Sequence, residues 1–309
     1  KSVQATGTGI LGDAKKFEVT QQGDDFLMRD TTRSAVIETY DTKGGTDFHD
    51  TGATIVSSKS LTTWDPVAVD VHSYTAATFD YYKARHNRNG IDDLGSPIFS
   101  TIHNGDPTNV GNAFWDGIEM VYGEGNSTIR VIAAEANVVG HELTHGVTEK
   151  TSKLAYKGQS GALNESISDL FGTFLENFMT PTKARWTTGS AYNTNGKPDR
   201  DYENPNRVGH PAHMSQFVNT TQDNGGVHTN SEIPNHAGFL MTVGGTNPVS
   251  KVQVKAGIGF DKSENLWYRI NAKYLLASSD FAAAARAMDQ AATDLGFSDD
   301  EHNIVDCAW

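Results

Sequence analysis

The first part of the chain alternates polar and apolar residues over short stretches, which is the pattern of β-strands. Phe17 and Val19, for example, stand two positions apart in a region rich in Gly, Thr and Asp. Side chains two apart share one face of a strand, so residues 1–60 predict a meander of short strands. Turns are expected at residues 22–24 and 43–45, and further strands at residues 98–102 and 117–122.

The apolar spacing then becomes helical. Asp65-Pro66 opens a predicted helix that ends at Asn89-Gly90, because Asp is a favourable N-cap and Pro fits the first helical position. Its apolar side carries Val67, Val71, Tyr74 and Tyr82. Further helices are predicted at residues 133–150, 162–178, 234–243, 264–277, 281–295 and 299–307. Strands first and helices later predict an α+β fold with two lobes, residues 1–147 and 148–309, joined by the helix at the boundary.

Composition narrows the classes of function. The 309 residues are 37% hydrophobic, enough for a sizeable core, and the net charge of −13 disfavours nucleic acid and anionic membranes as partners. This acidic balance favours a soluble monomer. The single cysteine, Cys307, excludes an internal disulfide and a cysteine zinc site. No apolar run is long enough to span a bilayer. A start at Lys1 rather than Met favours a processed, secreted protein over one without a leader.

The strongest chemical signal is the run His141-Glu142-Leu143-Thr144-His145. Residues four apart lie on one face of a helix, so the two histidines can bind one tetrahedral ion. Glu142 flanks them and can act on water without being a ligand. Glu165, on the next predicted helix, supplies the third ligand, and Asp169 one turn later can accept the outer N–H of a ligand histidine. A solvated helix face is the ordinary alternative for such a motif.

Other positions allow a functional and an ordinary interpretation. His228 either stabilises an oxyanion, with Asp223 orienting it, or is a loop histidine facing solvent. Tyr156 is either a second oxyanion donor or a packing residue. Arg200 either holds a substrate carbonyl or pairs with its sequence neighbours. Residues 112–115 form either a substrate-binding edge strand or an ordinary aromatic strand.

Segments along nearly the whole chain resemble the thermolysin-like neutral metalloproteases, and they occur in family order. Residues 138–149 (VVGHELTHGVTE) are similar to the zinc helix, residues 160–169 (SGALNESISD) to the helix of the third ligand, and residues 223–231 (DNGGVHTNS) to the active-site histidine loop. Shorter matches are residues 7–13 (GTGILGD), 112–115 (NAFW), 120–123 (MVYG) and 291–296 (AATDLG).

This resemblance implies a zinc-dependent endopeptidase with a β-rich N-terminal lobe, a mainly helical C-terminal lobe and the active-site cleft between them. The implied zinc ligands are His141, His145 and Glu165, and the implied catalytic groups are Glu142, Tyr156, His228 and Asp223. Asn112, Ala113 and Arg200 would bind the peptide main chain, and Asp169 and Asn164 would support the ligands. Thermolysin itself is the familiar example of a zinc site with two histidines and one glutamate, so this ligand set is the family's own. A protein of this family is expected to be secreted as a precursor with an N-terminal propeptide and to cleave before bulky apolar residues.

Two rivals are weighed against this function. A zinc-stabilised binding protein without turnover would be favoured if Glu142 were replaced, and it is present. An aminopeptidase would need acidic groups that capture a free amine, and no such motif is found.

Two departures from the family pattern stand out. Family members carry a paired calcium site, of which Glu176 is kept, whereas the other positions are Asn137, Arg185, Thr187 and Ser190. Since calcium prefers six to eight oxygens with carboxylates among them, we expect at most weak calcium binding.

The second departure is Asp199, which stands where a leucine is common beside an apolar specificity pocket otherwise lined by Ile129, Ile132 and Val138. Asp199 either turns inward and makes the pocket acidic, or pairs with Arg200 or Lys197 at the rim. We expect the rim, because an unpaired carboxylate in an apolar pocket costs several kcal/mol.

Overall fold

The computed structural model describes residues 1–309, which form two compact units. The first comprises Lys1–Val147 and Gly189–Lys197, and the second comprises Thr148–Thr188 and Pro198–Trp309. Most strands belong to the first unit and most helices to the second, which confirms the predicted α+β class. The lobe boundaries at residues 1–147 and 148–309 remain a prediction. None of the helices combines the length and apolar character that crossing a membrane requires.

The first unit contains two sheets built from ten strands. These are β1 (Ser2–Thr8), β2 (Ala14–Gln22), β3 (Asp25–Leu27), β4 (Arg29–Asp30), β5 (Ile37–Asp41), β6 (Thr54–Ile55), β7 (Ser57–Ser58), β8 (Ile98–Asn104), β9 (Ala113–Trp115) and β10 (Glu119–Gly123). The predicted turns at residues 22–24 and 43–45 are confirmed, since both follow the end of a strand.

The two sheets differ in strand direction. The order β1-β2-β3-β7 is antiparallel throughout. The second sheet has the order β4-β5-β8-β10-β9, with β6 also paired to β5, and its central pairs β5·β8 and β8·β10 are parallel. Strand β9 pairs only with β10, antiparallel, and therefore lies at the edge of this sheet. The predicted edge strand at residues 112–115 is thus present.

Helix α1 (Pro66–His86) connects β7 to β8 and packs against the sheets. The Asp65 carboxylate accepts the N–H groups of Val67 and Ala68, as expected of an N-cap. The predicted end at Asn89-Gly90 is wrong. The helix ends at His86 because Asn87 is left-handed (φ 51°) and its N–H returns to the carbonyl of Tyr82.

The predicted helix at residues 133–150 is two elements. A 3₁₀ turn covers Ile132–Ala134, Glu135 is extended, and α2 (Ala136–Lys150) begins after it. Glu135 is fully buried, and its carboxylate accepts the N–H groups of Gly189, Ala191 and Tyr192 from the second stretch of the first unit. This carboxylate therefore joins the start of α2 to residues more than fifty positions later in the chain.

The helices of the second unit are α3 (Gly158–Met179), α4 (Asp223–Asn230), α5 (Glu232–Val243), α6 (Phe260–Arg269), α7 (Phe281–Asp294) and α8 (Asp299–Ala308). Short strands β11 (Thr187–Thr188), β12 (Arg200–Asp201), β13 (Gly245–Thr246) and β14 (Gln253–Val254) pair as two antiparallel ladders. Two predictions need correction. The helix at residues 264–277 is α6 followed by a π-helical turn, Ile270–Tyr274. The segment expected to be a loop, residues 223–231, starts with a left-handed stretch at residues 223–226 and becomes regularly helical only after it.

Candidate active site

The two histidines of the HExxH motif lie on one face of α2. The Nε2 atoms of His141 and His145 are 2.9 Å apart, and their rings cross at 83°. The helix is fixed at this point because the Thr144 hydroxyl donates to the carbonyl of Gly140 and lies 2.7 Å from the hydroxyl of Tyr82. Two imidazole nitrogens this close, each able to offer a lone pair, suit a shared cation.

Glu165, on α3, completes a set of three metal-binding side chains. One ligand atom each from His141, His145 and Glu165 lies within 4.8 Å of the others. Two imidazole nitrogens and one carboxylate oxygen are the donor set of catalytic zinc sites, which leave a further position for water or substrate. The residues present therefore fit zinc, as the spacing predicts.

Tyr156 and His228 approach the same carboxylate. The Tyr156 hydroxyl donates to Glu165 Oε1, and His228 Nε2 lies 3.4 Å from Glu165 Oε2 and 3.3 Å from the Tyr156 hydroxyl oxygen. Tyr156 is 41% exposed, which argues against a packing role. Two polar groups that can donate hydrogen bonds thus lie together beside a candidate metal ligand.

A left-handed turn at the start of α4 orients His228. Asp223, Asn224, Gly225 and Gly226 all have φ between 49° and 95°. This turn brings the Asp223 carboxylate back onto the helix, where it accepts the backbone N–H of His228 at 2.9 Å and lies 2.7 Å from its Nδ1. The predicted contact between Asp223 and His228 is therefore present, and His228 has a hydrogen-bond partner within the protein.

Gly161 allows α3 and α4 to approach closely at this point. A Cβ atom added to Gly161 would lie 2.5 Å from Val227 Cγ1 and 2.9 Å from the carbonyl carbon of Tyr156. Val227 precedes His228, so a side chain at position 161 would displace both Tyr156 and His228. Glycine is required here by space rather than by φ.

The side chain of Arg200 pairs with Asp169, which lies 31 positions away, rather than with its sequence neighbours Asp199 and Asp201. Its Nη2 donates to Asp169 Oδ1 at 2.6 Å, and its Nε is buried without a hydrogen-bond partner. Burial alone would lower the pKa of Arg200, but Asp169, Tyr202 and Glu165 together raise that pKa well above its ordinary value. A buried N–H on a charged guanidinium can bind a carbonyl oxygen of a ligand.

Asp169 has a second donor that the sequence did not reveal. Asn235 Nδ2 lies 2.8 Å from Asp169 Oδ2, so two side chains position this carboxylate. The predicted hydrogen bond from a ligand histidine to Asp169 remains a prediction. Asn164, predicted to support the ligands, donates through Nδ2 to the carbonyl of Leu154 at 3.2 Å and so fixes the segment that leads to Tyr156.

The remaining predicted residues lie in the first unit. Glu142 is buried, and its negative charge, after burial itself, raises the pKa of the Tyr122 hydroxyl well above its ordinary value. Ala113 lies on the edge strand β9, and Asn112 lies immediately before it. An edge strand offers backbone N–H and C=O groups to an added strand.

The structure also brings together groups that the sequence analysis missed. Glu232 is fully buried at the first position of α5, and its Oε1 accepts the N–H of Asp201 at 2.7 Å. A glutamate immediately before Ile233, at the start of a predicted helix rich in apolar residues, was the available signal. A second cluster, His49, Asp50 and Glu119, lies within 4.8 Å, but His49 and Thr101 already hydrogen-bond to the Glu119 carboxylate.

Comparisons with known proteins agree with this geometry. Residues 4–149 match the family model described as thermolysin metallopeptidase, catalytic domain, and residues 152–309 match its alpha-helical domain. A bacillolysin from Bacillus cereus is 42% identical over 94% of this chain and 51% of its own length. A thermolysin from Bacillus sp. strain EA1 is 39% identical over 100% of this chain and 57% of its own length. The chain thus spans about half the length of the curated relatives it matches.

A solved structure extends the likeness to the fold. The precursor of protealysin, a metalloproteinase from Serratia proteamaculans, superposes with a TM-score of 0.76 at 30% identity, over 91% of this chain and 88% of that one. Both halves of the chain match the family models, and the HExxH helix and Glu165 stand within them. This chain belongs to the thermolysin family of metallopeptidases.

Proposed function

We propose that this chain is a zinc-dependent endopeptidase. The observation that carries the proposal is the set of His141, His145 and Glu165, with Tyr156 and His228 beside Glu165. His141, His145 and Glu165 would hold the zinc. When bound, zinc lowers the pKa of a water molecule and polarises a carbonyl group.

The protein side chains move protons and stabilise charge. Glu142 accepts a proton from the attacking water and delivers it to the amine that leaves. Tyr156 and His228 donate hydrogen bonds to the oxyanion that forms at the former carbonyl oxygen. A neutral imidazole has one N–H, which Asp223 accepts at Nδ1, so donation from Nε2 of His228 requires the protonated ring.

The substrate main chain is bound by residues away from these reacting groups. Strand β9 pairs with the peptide as an added strand through Ala113 and Asn112, and Arg200 binds a substrate carbonyl. Hydrogen bonds to the main chain carry no side-chain information, so choice among sequences is left to the pockets. An interior position in a strand also favours cleavage within a chain over removal of terminal residues.

A blocked, internally quenched peptide tests the activity. With both ends blocked, an endopeptidase cleaves it and an aminopeptidase does not, and a metal chelator abolishes cleavage. Glu142→Ala should lower kcat roughly a thousandfold while zinc content stays unchanged, because Glu142 is not a ligand. Glu149→Ala, an exposed glutamate on the same helix, is the matched control and should keep full activity. Parallel loss of zinc and activity in Glu142→Ala would contradict the role of Glu142 as base.

For specificity, we propose cleavage on the N-terminal side of bulky apolar residues. Ile132 and Val138 are buried apolar residues, whereas Asp199 is exposed to solvent. This exposure favours a position for Asp199 at the rim of the specificity pocket. Cleavage profiles of a peptide library should show Leu, Ile or Phe as the preferred residues immediately after the scissile bond. Discrimination against polar residues at that position should be weaker than is usual in the family. A dominant preference for Lys or Arg there would place Asp199 inside the pocket.

We propose that calcium binds weakly at the position of the family's paired site. Glu176 is held by Arg185, whose backbone N–H donates at 2.9 Å and whose Nε donates at 3.1 Å. The Arg185 guanidinium also donates through Nη2, so this side chain supplies positive charge at the Glu176 carboxylate. An arginine beside the carboxylate opposes the binding of two divalent cations.

Secretion as a monomer, from a precursor with an N-terminal propeptide, is also proposed. The solved relative that matches most of this chain is itself described as a precursor. Expression of the complete gene with mass analysis of the medium tests the proposal. Recovery of only the uncleaved product inside the cell would oppose it.

A further inference from the structure

Arg200 and the next residue, Asp201, are each held by a different buried carboxylate. Arg200 lies in β12, where it pairs with Thr188 of β11. Its guanidinium donates to Asp169, while the backbone N–H of the next residue, Asp201, donates to Glu232 Oε1 at 2.7 Å. The short strand β12 is therefore fixed both through the side chain of Arg200 and through the backbone of Asp201.

Asn235 connects the two carboxylates. Its Nδ2 lies 2.8 Å from Asp169 Oδ2 and 3.5 Å from Glu232 Oε2. Glu232 and Asn235 are three positions apart on α5, so they share one face of the helix. The opposite amide orientation would place the carbonyl oxygen of Asn235 against two carboxylates, which excludes it. A continuous chain of contacts thus runs from Glu232 through Asn235 and Asp169 to the Arg200 guanidinium.

Glu232 occupies an unfavourable position for a carboxylate. It is fully buried, and burial raises its pKa above the ordinary value. The charged and titratable groups near it are Asp169, Arg200, Tyr202 and His210, of which His210 Nδ1 lies 3.6 Å from Glu232 Oε1. Asp169 and Glu232 repel each other, so their joint burial does not serve stability alone.

We propose that Glu232 and Asn235 are positioning residues that hold Arg200 in the orientation that binds a substrate carbonyl. The inference rests on the proposed function, since it requires Arg200 to bind substrate. Neither residue touches the reacting atoms, so both act through Arg200. Their loss weakens the binding of the peptide and leaves the bond-breaking steps at Glu142 unchanged.

The test is a pair of substitutions at position 232. Glu232→Met keeps the volume but removes the acceptor for the Asp201 N–H, whereas Glu232→Gln keeps an acceptor. Glu232→Met should raise KM about tenfold with kcat unchanged, the effect of weakening one charged hydrogen bond. Glu232→Gln should stay within about twofold of the parent KM, since the bond to Asp201 survives. Tm of both variants is measured alongside, because Glu232→Met leaves the buried Asp201 N–H without its acceptor and should lower Tm, whereas Glu232→Gln keeps this bond.

Asn235→Leu breaks the same chain of contacts at another link and serves if Glu232→Met does not fold. It should raise KM with kcat unchanged, because Asp169 loses a donor. A fall of kcat with unchanged KM, or a variant whose activity falls only as far as its folded fraction, would overturn the proposal. Equal KM in parent and in Glu232→Met would overturn it as well.

A double-mutant cycle separates this proposal from the proposed function. Arg200→Ala should itself raise KM, and adding Glu232→Met to it should cause no further rise. If Arg200→Ala leaves KM unchanged while the parent cleaves peptide, the role of Arg200 in the proposed function is wrong. If Arg200→Ala raises KM and Glu232→Met does not, the positioning role alone is wrong.

Discussion

Gly161→Ala should damage both stability and turnover, although alanine is normally the better residue within a helix. The added Cβ would lie 2.5 Å from Val227 Cγ1 and 2.9 Å from the carbonyl carbon of Tyr156. Val227 is fully buried and the Tyr156 atom is backbone, so neither can move aside without cost. Overpacking of this kind costs about 1–3 kcal/mol, and the better helix propensity of alanine returns about 1 kcal/mol. The expected net loss is therefore up to about 2 kcal/mol.

The same displacement reaches two of the proposed catalytic groups, Tyr156 and His228, which both contact Glu165. The new methyl group contacts the backbone of Tyr156 itself and the side chain of Val227, which precedes His228. Misplacement of such groups by about 1 Å can cost a hundredfold in rate, so kcat should fall roughly ten- to hundredfold. Zinc content should stay near that of the parent, because no ligand is replaced.

The assay measures unfolding and turnover separately. Thermal unfolding is followed in the Glu142→Ala background, where self-digestion does not remove the unfolded chain. Gly161→Ala should lower Tm by up to about 3 °C for a chain of this size. Val227→Ala, which removes Cγ1, should cost less in the Gly161→Ala background than alone, with a coupling of about 0.5 kcal/mol or more. Unchanged Tm and kcat in Gly161→Ala would refute the steric reasoning.

Three further predictions concern other parts of the molecule. His228→Ala should lower kcat about a hundredfold, as loss of an oxyanion donor does, and an effect on KM alone would contradict that role. Burial lowers the pKa of His72 from 6.5 to about 4, so only the unfolded chain gains a proton between these values. His72 should therefore contribute about 3 kcal/mol to the fall in the free energy of unfolding as pH drops from 7 to 4, and in urea titrations the fall for His72→Gln should be smaller by about that amount. Excess calcium should raise Tm of Arg185→Asp, which gains a second carboxylate beside Glu176, but not that of the parent; an equal rise in both would contradict weak calcium binding.

Features coded by nearby residues were predictable from the sequence. The HExxH spacing places His141 and His145 on one helical face because the periodicity of the helix alone decides it. The start of α1 at Asp65-Pro66 was equally local, since the cap binds the N–H groups two and three positions later. Its end was missed because Asn87, three residues before Gly90, already adopts a left-handed conformation and closes the helix.

Features that depend on distant partners were not predictable in the same way. Asn235 donates to Asp169 across 66 positions, and the contact between Asp201 and Glu232 spans 31, so no local pattern announces them. The left-handed turn at residues 223–226 was expected only as part of a loop. Asp223 and Asn224 share its positive φ, which is uncommon for residues with a side chain.

The contacts of Glu135 have a consequence for synthesis on the ribosome. Its carboxylate is buried, and three of its donors are the backbone N–H groups of residues 54 to 57 positions downstream. At translation rates of about 5–20 residues per second, those donors emerge roughly 3–11 s after Glu135 itself. Until then the nascent chain exposes or protonates this carboxylate just before α2. If the ribosome stalls before residue 192, all ten strands of the N-terminal unit have been synthesised. The segment whose N–H groups bind the Glu135 carboxylate is then still incomplete.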